Sequence, residues 1–341
     1  MHADPALDAL FLPFDTGLLP PPSGGAFLGA RPGPALQRWA SARLTCEQDY
    51  RPTAAALERA GIAPVQDELA PPATFPTVLV LPPRQREQSR ATLARALRLA
   101  GDGGRVVACA ANNAGARSLQ DDLEALAGPV GVLTKHKCRV AWTEPGHVDG
   151  ARVDEWLALD APRPILDGRV LSRPGLFAWD RIDAASALLA AHLPGDLNGR
   201  AADLGAGWGY LSIELLERNP GLVALDAFEA QHRALPLLAH NLARFAPRVL
   251  VTTRWADVTA GVDDRYDAIV SNPPVHADDR TDRPELGRRF IEAAAGALKI
   301  GGRFFMVANR HLPYEATLAS LFREVRLLVD ARGFKAYEAR R

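Results

Sequence analysis

One plan is written twice along this chain. Val78-Leu79-Val80-Leu81-Pro82-Pro83 and Ala268-Ile269-Val270-Ser271-Asn272-Pro273-Pro274 are both apolar runs that end on a double proline. After the first comes a helical stretch, Gln88 to Leu99, and then Gly103-Gly104-Arg105-Val106-Val107. After the second comes a helix from Pro284 to Leu298, and then Gly301-Gly302-Arg303-Phe304-Phe305. Upstream, Phe27-Leu28-Gly29-Ala30-Arg31-Pro32-Gly33 stands where Asp203-Leu204-Gly205-Ala206-Gly207-Trp208-Gly209 stands in the second copy. Strands alternating with helices require a mainly parallel sheet covered on both faces. The expected fold is therefore α/β, with two Rossmann-like domains in tandem.

The second copy reads in detail as strand Ala201–Leu204, helix Gly209–Arg218, strand Leu222–Asp226 and a long amphipathic helix Glu229–Phe245. Strands Arg248–Thr253, Tyr266–Ser271 and Gly302–Ala308 follow, and an antiparallel hairpin, Val325–Ala331 with Phe334–Ala339, closes a seven-stranded sheet across Arg332-Gly333. In the first copy Val132–Trp142 is the matching hairpin. The expected organisation is an irregular segment over residues 1–25, a first domain over 26–143, a proline-bearing linker over 144–165 and a second domain over 166–341.

Composition narrows the class. Of 341 residues 48% are hydrophobic and 23% charged, the profile of a water-soluble globular protein. No apolar run reaches the roughly 18 residues of a membrane span, and Met1-His2-Ala3-Asp4-Pro5 has no features of a signal peptide. Three scattered cysteines, Cys46, Cys109 and Cys138, fit neither a zinc site nor a disulfide framework and point to a reducing cytoplasm. The net charge of zero argues against binding nucleic acid by bulk electrostatics, though not against a local basic face. No metal is expected, and a monomer is.

The two copies differ where chemistry would sit. Gly205 and Gly207, in the turn after the first strand, let backbone approach a ligand closely. Asp203 ends that strand and can accept hydrogen bonds from a bound amino group. Asp226, at the expected end of the second strand about 20 residues on, stands where an acid holds both ribose hydroxyls of a nucleoside. Asp257 could accept from an adenine amino group. In the first copy Phe27 replaces Asp203, Arg31 replaces Gly207 and Leu81 replaces Asn272. That copy is expected to be catalytically silent.

The Asn-Pro-Pro loop adds the second half of a reaction. Pro273 and Pro274 stiffen the loop and offer no N–H, so its backbone presents only acceptors. The Asn272 side-chain oxygen and the Pro273 carbonyl can together take both hydrogens of a planar NH₂ group. A nucleoside site beside an amine grip suggests methyl transfer from S-adenosylmethionine. A glycine turn alone would also suit an NAD enzyme, for which the Asn-Pro-Pro loop has no use.

With these elements in hand, the chain resembles the bacterial ribosomal RNA guanine-N2 methyltransferases. The resemblance runs from about Ala26 to Arg341 and is carried by Phe177-Ala178-Trp179-Asp180 with Asp183, Asp203 to Gly209, and Ser271-Asn272-Pro273-Pro274-Val275-His276. It extends through Val307-Ala308-Asn309-Arg310-His311-Leu312-Pro313-Tyr314 and Gly333-Phe334-Lys335-Ala336-Tyr337. In the first copy Asn113-Ala114-Gly115-Ala116-Arg117-Ser118 and Lys137-Cys138 look like the family's inactive domain. The resemblance implies S-adenosylmethionine as donor, and as partner a ribosomal RNA or ribosomal subunit, most like that of the 16S enzymes. Asn272 and Pro273 would be catalytic, and Asp203, Gly205, Gly207, Asp226, Asp257, Asp183 and Phe177 would line the cofactor. Pro274, Val275 and His276 would meet the substrate.

Two positions depart from the family pattern. Val275 replaces the aromatic residue that usually follows the second proline and can stack on a flipped base, so His276, Phe177 or Trp179 could stack instead. Ala185 stands where a glycine is typical. Methylation of another nucleic-acid base or of a protein amide, and a non-catalytic RNA-binding assembly factor, are the alternatives.

Overall fold

A computed structural model describes residues 4–71, 74–146, 148–274 and 284–341. The chain divides into two compact units, residues 1–162 with 173–175 and residues 163–172 with 176–341.

In the first unit the elements run α1 (Pro5–Asp15), β1 (Gly25–Leu28), α2 (Pro34–Arg38), β2 (Leu44–Glu47), α3 (Arg51–Arg59), β3 (Thr77–Val80), α4 (Arg86–Ala100), β4 (Arg105–Ala111), α5 (Ala116–Ala127), β5 (Gly131–Lys135), β6 (Cys138–Trp142) and α6 (Gly150–Ala158). Its described strands order as β2-β1-β3-β4-β6-β5, parallel except for the last two pairings.

The second unit begins with the hairpin β7 (Arg163–Ile165) and β8 (Val170–Ser172), then α7 (Ala184–Ala191) and β9 (Asn198–Leu204). It continues α8 (Tyr210–Arg218), β10 (Gly221–Glu229), α9 (Leu235–Leu242), β11 (Leu250–Trp255), β12 (Tyr266–Ser271), α10 (Pro284–Ala297), β13 (Leu298–Asn309), α11 (Glu315–Leu321), β14 (Glu324–Ala331) and β15 (Phe334–Arg340). Its seven described strands order as β11-β10-β9-β12-β13-β15-β14. Deleting β11 from that list gives the order of the first unit. The duplication is thus visible in topology, down to the antiparallel hairpin at one edge.

Three expectations are corrected. Residues 1–25 are not irregular throughout: Asp4 caps α1 by accepting from the N–H groups of Ala6 and Leu7, and Leu7, Leu10, Phe11 and Phe14 are buried. Pro5 reads as a breaker in the sequence but sits in the first turn, where a missing N–H costs nothing. The expected linker 144–165 holds α6, whose Val153 and Trp156 lie in the core of the first unit. Residues 229–245 do not form one helix. Glu229 still belongs to β10, and Pro236 opens a new helix, α9, flanked by 3-10 turns at His232–Ala234 and Ala243–Phe245.

In the second unit, alternate residues of the central strands face two cores. Ala201, Ala227, Val270 and Phe305 pack against α7, α8 and α9, whereas Ala202, Leu204, Ile269 and Phe304 pack against α10 and α11. This alternation decides which acid of a strand faces which side. It puts Asp203 on the α7–α9 side and Asp226, in register with Ala202, on the other.

The helix α8 starts close against α9. Gly209 caps it at φ +103°, and a Cβ there would lie 2.9 Å from Leu238 Cδ1. Gly209→Ala therefore combines a left-handed strain with overpacking and is expected to destabilise the protein by about 1–3 kcal/mol. A lowered denaturation midpoint would show this, and an unchanged one would mean that the turn relaxes freely.

Candidate active site

β9 leads through α8 to β10 on one side of the sheet, and β12 lies on its other side. Open α/β sheets bind ligands at such a reversal, beyond the carboxyl ends of the strands. Ser271 is in register with Leu204, and its hydroxyl donates to the Leu204 carbonyl at 2.7 Å. The glycine turn and the Asn-Pro-Pro loop therefore leave the sheet side by side.

The turn is held from β10. The N–H groups of Gly205 and Ala206 both donate to the Phe228 carbonyl at 2.9 Å, and the Gly207 N–H donates to Glu229 Oε2 at 2.8 Å. Gly205 and Gly207 have φ of +83° and +57°. A Cβ on Gly207 would meet nothing within 4 Å, so its backbone borders open space.

Asp203 is fully buried beneath the turn. Its Oδ2 accepts from the Ser212 hydroxyl at 2.7 Å, while its Oδ1 has no hydrogen-bond partner. Burial pushes its pKa up to about 7, Ser212 opposes the rise, and the negative charge of Glu229 adds to it. A buried acceptor without a donor is costly, and it fits a ligand that brings one.

Asp226 does not stand at a strand end. β10 continues through Ala227 and Phe228, which pair with Asp203 and Leu204, to Glu229. The Asp226 carboxylate accepts from Arg200 Nη2 at 3.0 Å, from Arg254 Nη2 at 3.2 Å and from the Tyr266 hydroxyl at 2.8 Å. Its charge is spent on the fold, and burial together with this carboxylate drives the Tyr266 phenol far above its ordinary range. The acid at the strand end is Glu229, which also receives the Gln231 N–H at 2.8 Å. The sequence signal for it was present, an acid 24 positions after Gly205, but ending the strand three residues early hid it.

Asp257 lies two residues beyond β11 and caps a short 3-10 turn, its Oδ1 accepting from the N–H and hydroxyl of Thr259. Phe177 is exposed on the loop before α7.

Asn272 is oriented by its neighbours. Its Nδ2 donates to Asp183 Oδ2 at 3.0 Å and to the Ser186 hydroxyl at 2.9 Å. A carboxylate only accepts, so the amide nitrogen faces Asp183 and the oxygen is turned away from it. Asp183 is also the cap of α7, accepting from the Ser186 N–H at 2.8 Å. Its observed contact is with Asn272 rather than with the glycine turn. Ser186 was not anticipated, because an Asp cap at 183 uses only the backbone N–H of residue 186 and gives no signal for its side chain. Pro273 is buried and Pro274 exposed, while Val275 and His276 lie outside the described residues.

Among the described residues no group of three or more His, Cys, Asp or Glu could hold a metal ion, and no helix is long and apolar enough to cross a membrane.

Known proteins resemble this chain in sequence and in fold. A family described as methyltransferase small domain matches residues 167–338. A ribosomal RNA small subunit methyltransferase C of Shewanella amazonensis is 35% identical over 174 residues, 51% of this chain and 50% of that protein. The chain thus spans about half the length of that relative. The protein of the same name from Pseudomonas paraeruginosa is 31% identical over 285 residues, covering 81% of this chain and 82% of its own. The solved structure of a Thermus thermophilus 16S rRNA N2 G1207 methyltransferase, in complex with AdoMet and guanosine, superposes with a TM-score of 0.82 at 25% identity, covering 100% of this chain and 92% of that one.

The buried acid gives a pH signature of the free protein. Its folded pKa, about 7, lies above the ordinary 3.8, so the folded state holds the proton more tightly. Stability from this group is full below about pH 4 and declines as pH rises to about 7, by up to a few kcal/mol. Asp203→Asn should gain thermal stability over wild type as pH is raised from 5 to 8. A pH-independent difference in unfolding midpoint would contradict the assignment.

Proposed function

The chain belongs to the methyltransferase small domain family and, with it, to the ribosomal RNA small subunit methyltransferase C proteins, and from that premise we propose that it transfers a methyl group from S-adenosylmethionine to the exocyclic N2 amine of a guanine in small-subunit ribosomal RNA. The single observation that carries this reading is the amide of Asn272. Its nitrogen is committed to Asp183 and Ser186, which leaves its oxygen as an acceptor beside the glycine turn.

The residues fit the cofactor. The unpartnered Oδ1 of Asp203 offers an acceptor to an amino group, directly or through water. Gly207 leaves room for close approach, Glu229 at the end of β10 would hold the ribose hydroxyls, and Asp257 after β11 would accept from adenine. This replaces Asp226 by Glu229 as the ribose acid. When bound, S-adenosylmethionine supplies a methyl group made electrophilic by its sulfonium sulfur.

The protein's own share is positioning. The lone pair of an aryl amine is delocalised into the ring, which makes the nitrogen a poor nucleophile. Asn272 Oδ1 and the Pro273 carbonyl accept its two hydrogens and hold the nitrogen in line with the methyl carbon. With the cofactor bound there, the nitrogen would take the methyl carbon while sulfur leaves with the bonding pair as a neutral thioether, and the methylated amine would lose one proton to water. Orientation of this kind is worth several kcal/mol. Pro273 and Pro274 keep the loop stiff and free of competing N–H donors.

In the same reading the first unit is a silent copy. Phe27, wholly buried, stands in place of Asp203, and Leu81, also buried, in place of Asn272. Arg31, in place of Gly207, reaches Asp4 at 3.2 Å. A monomer working on ribosomal RNA in the cytoplasm completes the proposal.

Transfer of labelled methyl to ribosomal subunits and naked ribosomal RNA from cells lacking this protein tests the reading. Label recovered as N2-methylguanine in the small subunit supports it, and label in another base or in protein overturns it. Asn272→Ala should lower transfer on the order of 10²–10³-fold, as does loss of one oriented polar group elsewhere, with cofactor affinity nearly unchanged. Glu229→Gln should weaken cofactor binding roughly tenfold. Asp226→Asn should lower the unfolding midpoint instead, because it unbalances a buried charge cluster. Calorimetric titration of the three variants separates these roles.

A further inference from the structure

The loop entering α7 presents an aromatic ring in an unusual setting. Leu176 is buried and Trp179 packs half-buried against the same core, yet Phe177 between them is 63% exposed. The next residue, Ala178, has φ +46°, a left-handed conformation that a residue with a Cβ adopts only at a cost. The strain is held by Trp208, itself buried, whose indole N–H donates to the Ala178 carbonyl at 3.2 Å. Trp208 lies inside the glycine turn, between Gly207 and Gly209. Five residues after Ala178, Asp183 bonds Asn272. The loop is therefore pinned to the glycine turn at one point and to the amine acceptor at another. Strain kept by a buried donor marks a conformation that matters for more than packing.

We infer that Phe177 is the platform on which the target base stacks, with Trp208 as the residue that positions it. This rests on the methyl-transfer reading above. A base taken out of an RNA helix loses its stacking partners and is held in enzymes by aromatic or apolar faces. Position 275, directly after the two prolines, is valine and has no π face. Other rings nearby are committed. Trp208 is buried and packs against Tyr210, Phe290 is buried beside Gly205, and His232 packs against Trp255. The Arg163 guanidinium lies over the Trp179 ring at 5.3 Å. Among the described rings around the turn, Phe177 has the open face.

The test titrates guanosine into protein saturated with S-adenosylhomocysteine and measures methyl transfer to ribosomal RNA on the same preparations. Phe177→Ala and Phe177→Leu should each weaken guanosine binding and lower kcat/KM for RNA by roughly 5- to 150-fold, the range of one lost stacking contact. Phe177→Trp should stay within about threefold of wild type, because it restores a ring. Trp208→Phe should raise KM for RNA more than it lowers kcat. Affinity for S-adenosylhomocysteine should be unchanged in all four. A parallel loss of S-adenosylhomocysteine binding would assign the ring to the cofactor and overturn the inference, as would Phe177→Leu matching wild type. A wild-type protein that neither binds guanosine nor methylates ribosomal RNA removes the methyl-transfer reading, and the inference falls with it. An active wild type with an indifferent Phe177→Leu removes the inference alone.

Discussion

The register between β9 and β12 is the constraint on which the site depends. Parallel pairing sets Ser271 opposite Leu204, and the Ser271 hydroxyl, buried on the Leu204 carbonyl, ties the two strand ends together. A shift of one residue would turn every side chain of β12 to the opposite core and carry Asn272 away from Asp183 and Ser186. The two apolar cores enforce the register from both sides of the sheet, since Ile269 packs in one and Val270 in the other. Placement of the amide is thus a consequence of core packing, and only its last degree of freedom, the orientation of the amide plane, is left to hydrogen bonds.

The first unit builds the same strand order around different residues. Its central pairings repeat those of the second, and Gly29, with φ +70°, keeps the conformation that Gly205 has at +83°. Asp4 caps α1 as Asp183 caps α7. The difference lies in what the caps face. Asp183 receives an amide whose oxygen is left available, whereas Asp4 receives the guanidinium of Arg31, a charge pair that satisfies both groups. Apolar Phe27 and Leu81 then extend the core to positions where the other unit holds a buried acid and an acceptor.

Much of this was legible in the sequence, for physical reasons that also explain the failures. β12 could be read residue for residue because an apolar run stopped by Asn-Pro-Pro has two hard edges. The closing hairpin was legible from alternation around Arg332-Gly333. β10 was cut short because Asp226 was read as the acid that ends the strand, whereas its continuation through Ala227-Phe228-Glu229 is imposed by pairing to β9 and β11. The error put the expected ribose acid at Asp226, three residues before the strand ends at Glu229. Pairing partners are distant in sequence, so the burial of Asp226 by Arg200, Arg254 and Tyr266 left no local trace. The helix α1 was lost for the opposite reason: Pro5 and Pro13 are local signals of irregularity that the capped first turn and the buried Leu7, Leu10 and Phe11 override.

Asp203 shows why a site built on such a scaffold is costly to the free protein. Its carboxylate is wholly enclosed, one oxygen is unpartnered, and Glu229 adds a second negative charge nearby. The glycine turn between them donates its Gly207 N–H to Glu229, while Asp203 Oδ1 receives no donor. Burial and the Glu229 charge raise the Asp203 pKa to about 7, so the folded protein holds its proton more tightly than the unfolded chain does. A ligand that donates to the orphan oxygen favours the carboxylate form, and its binding to the folded state adds to stability. A substitution that neutralises Asp203 therefore favours the fold near neutral pH and removes an acceptor for a ligand's donor, so stability and affinity move in opposite directions.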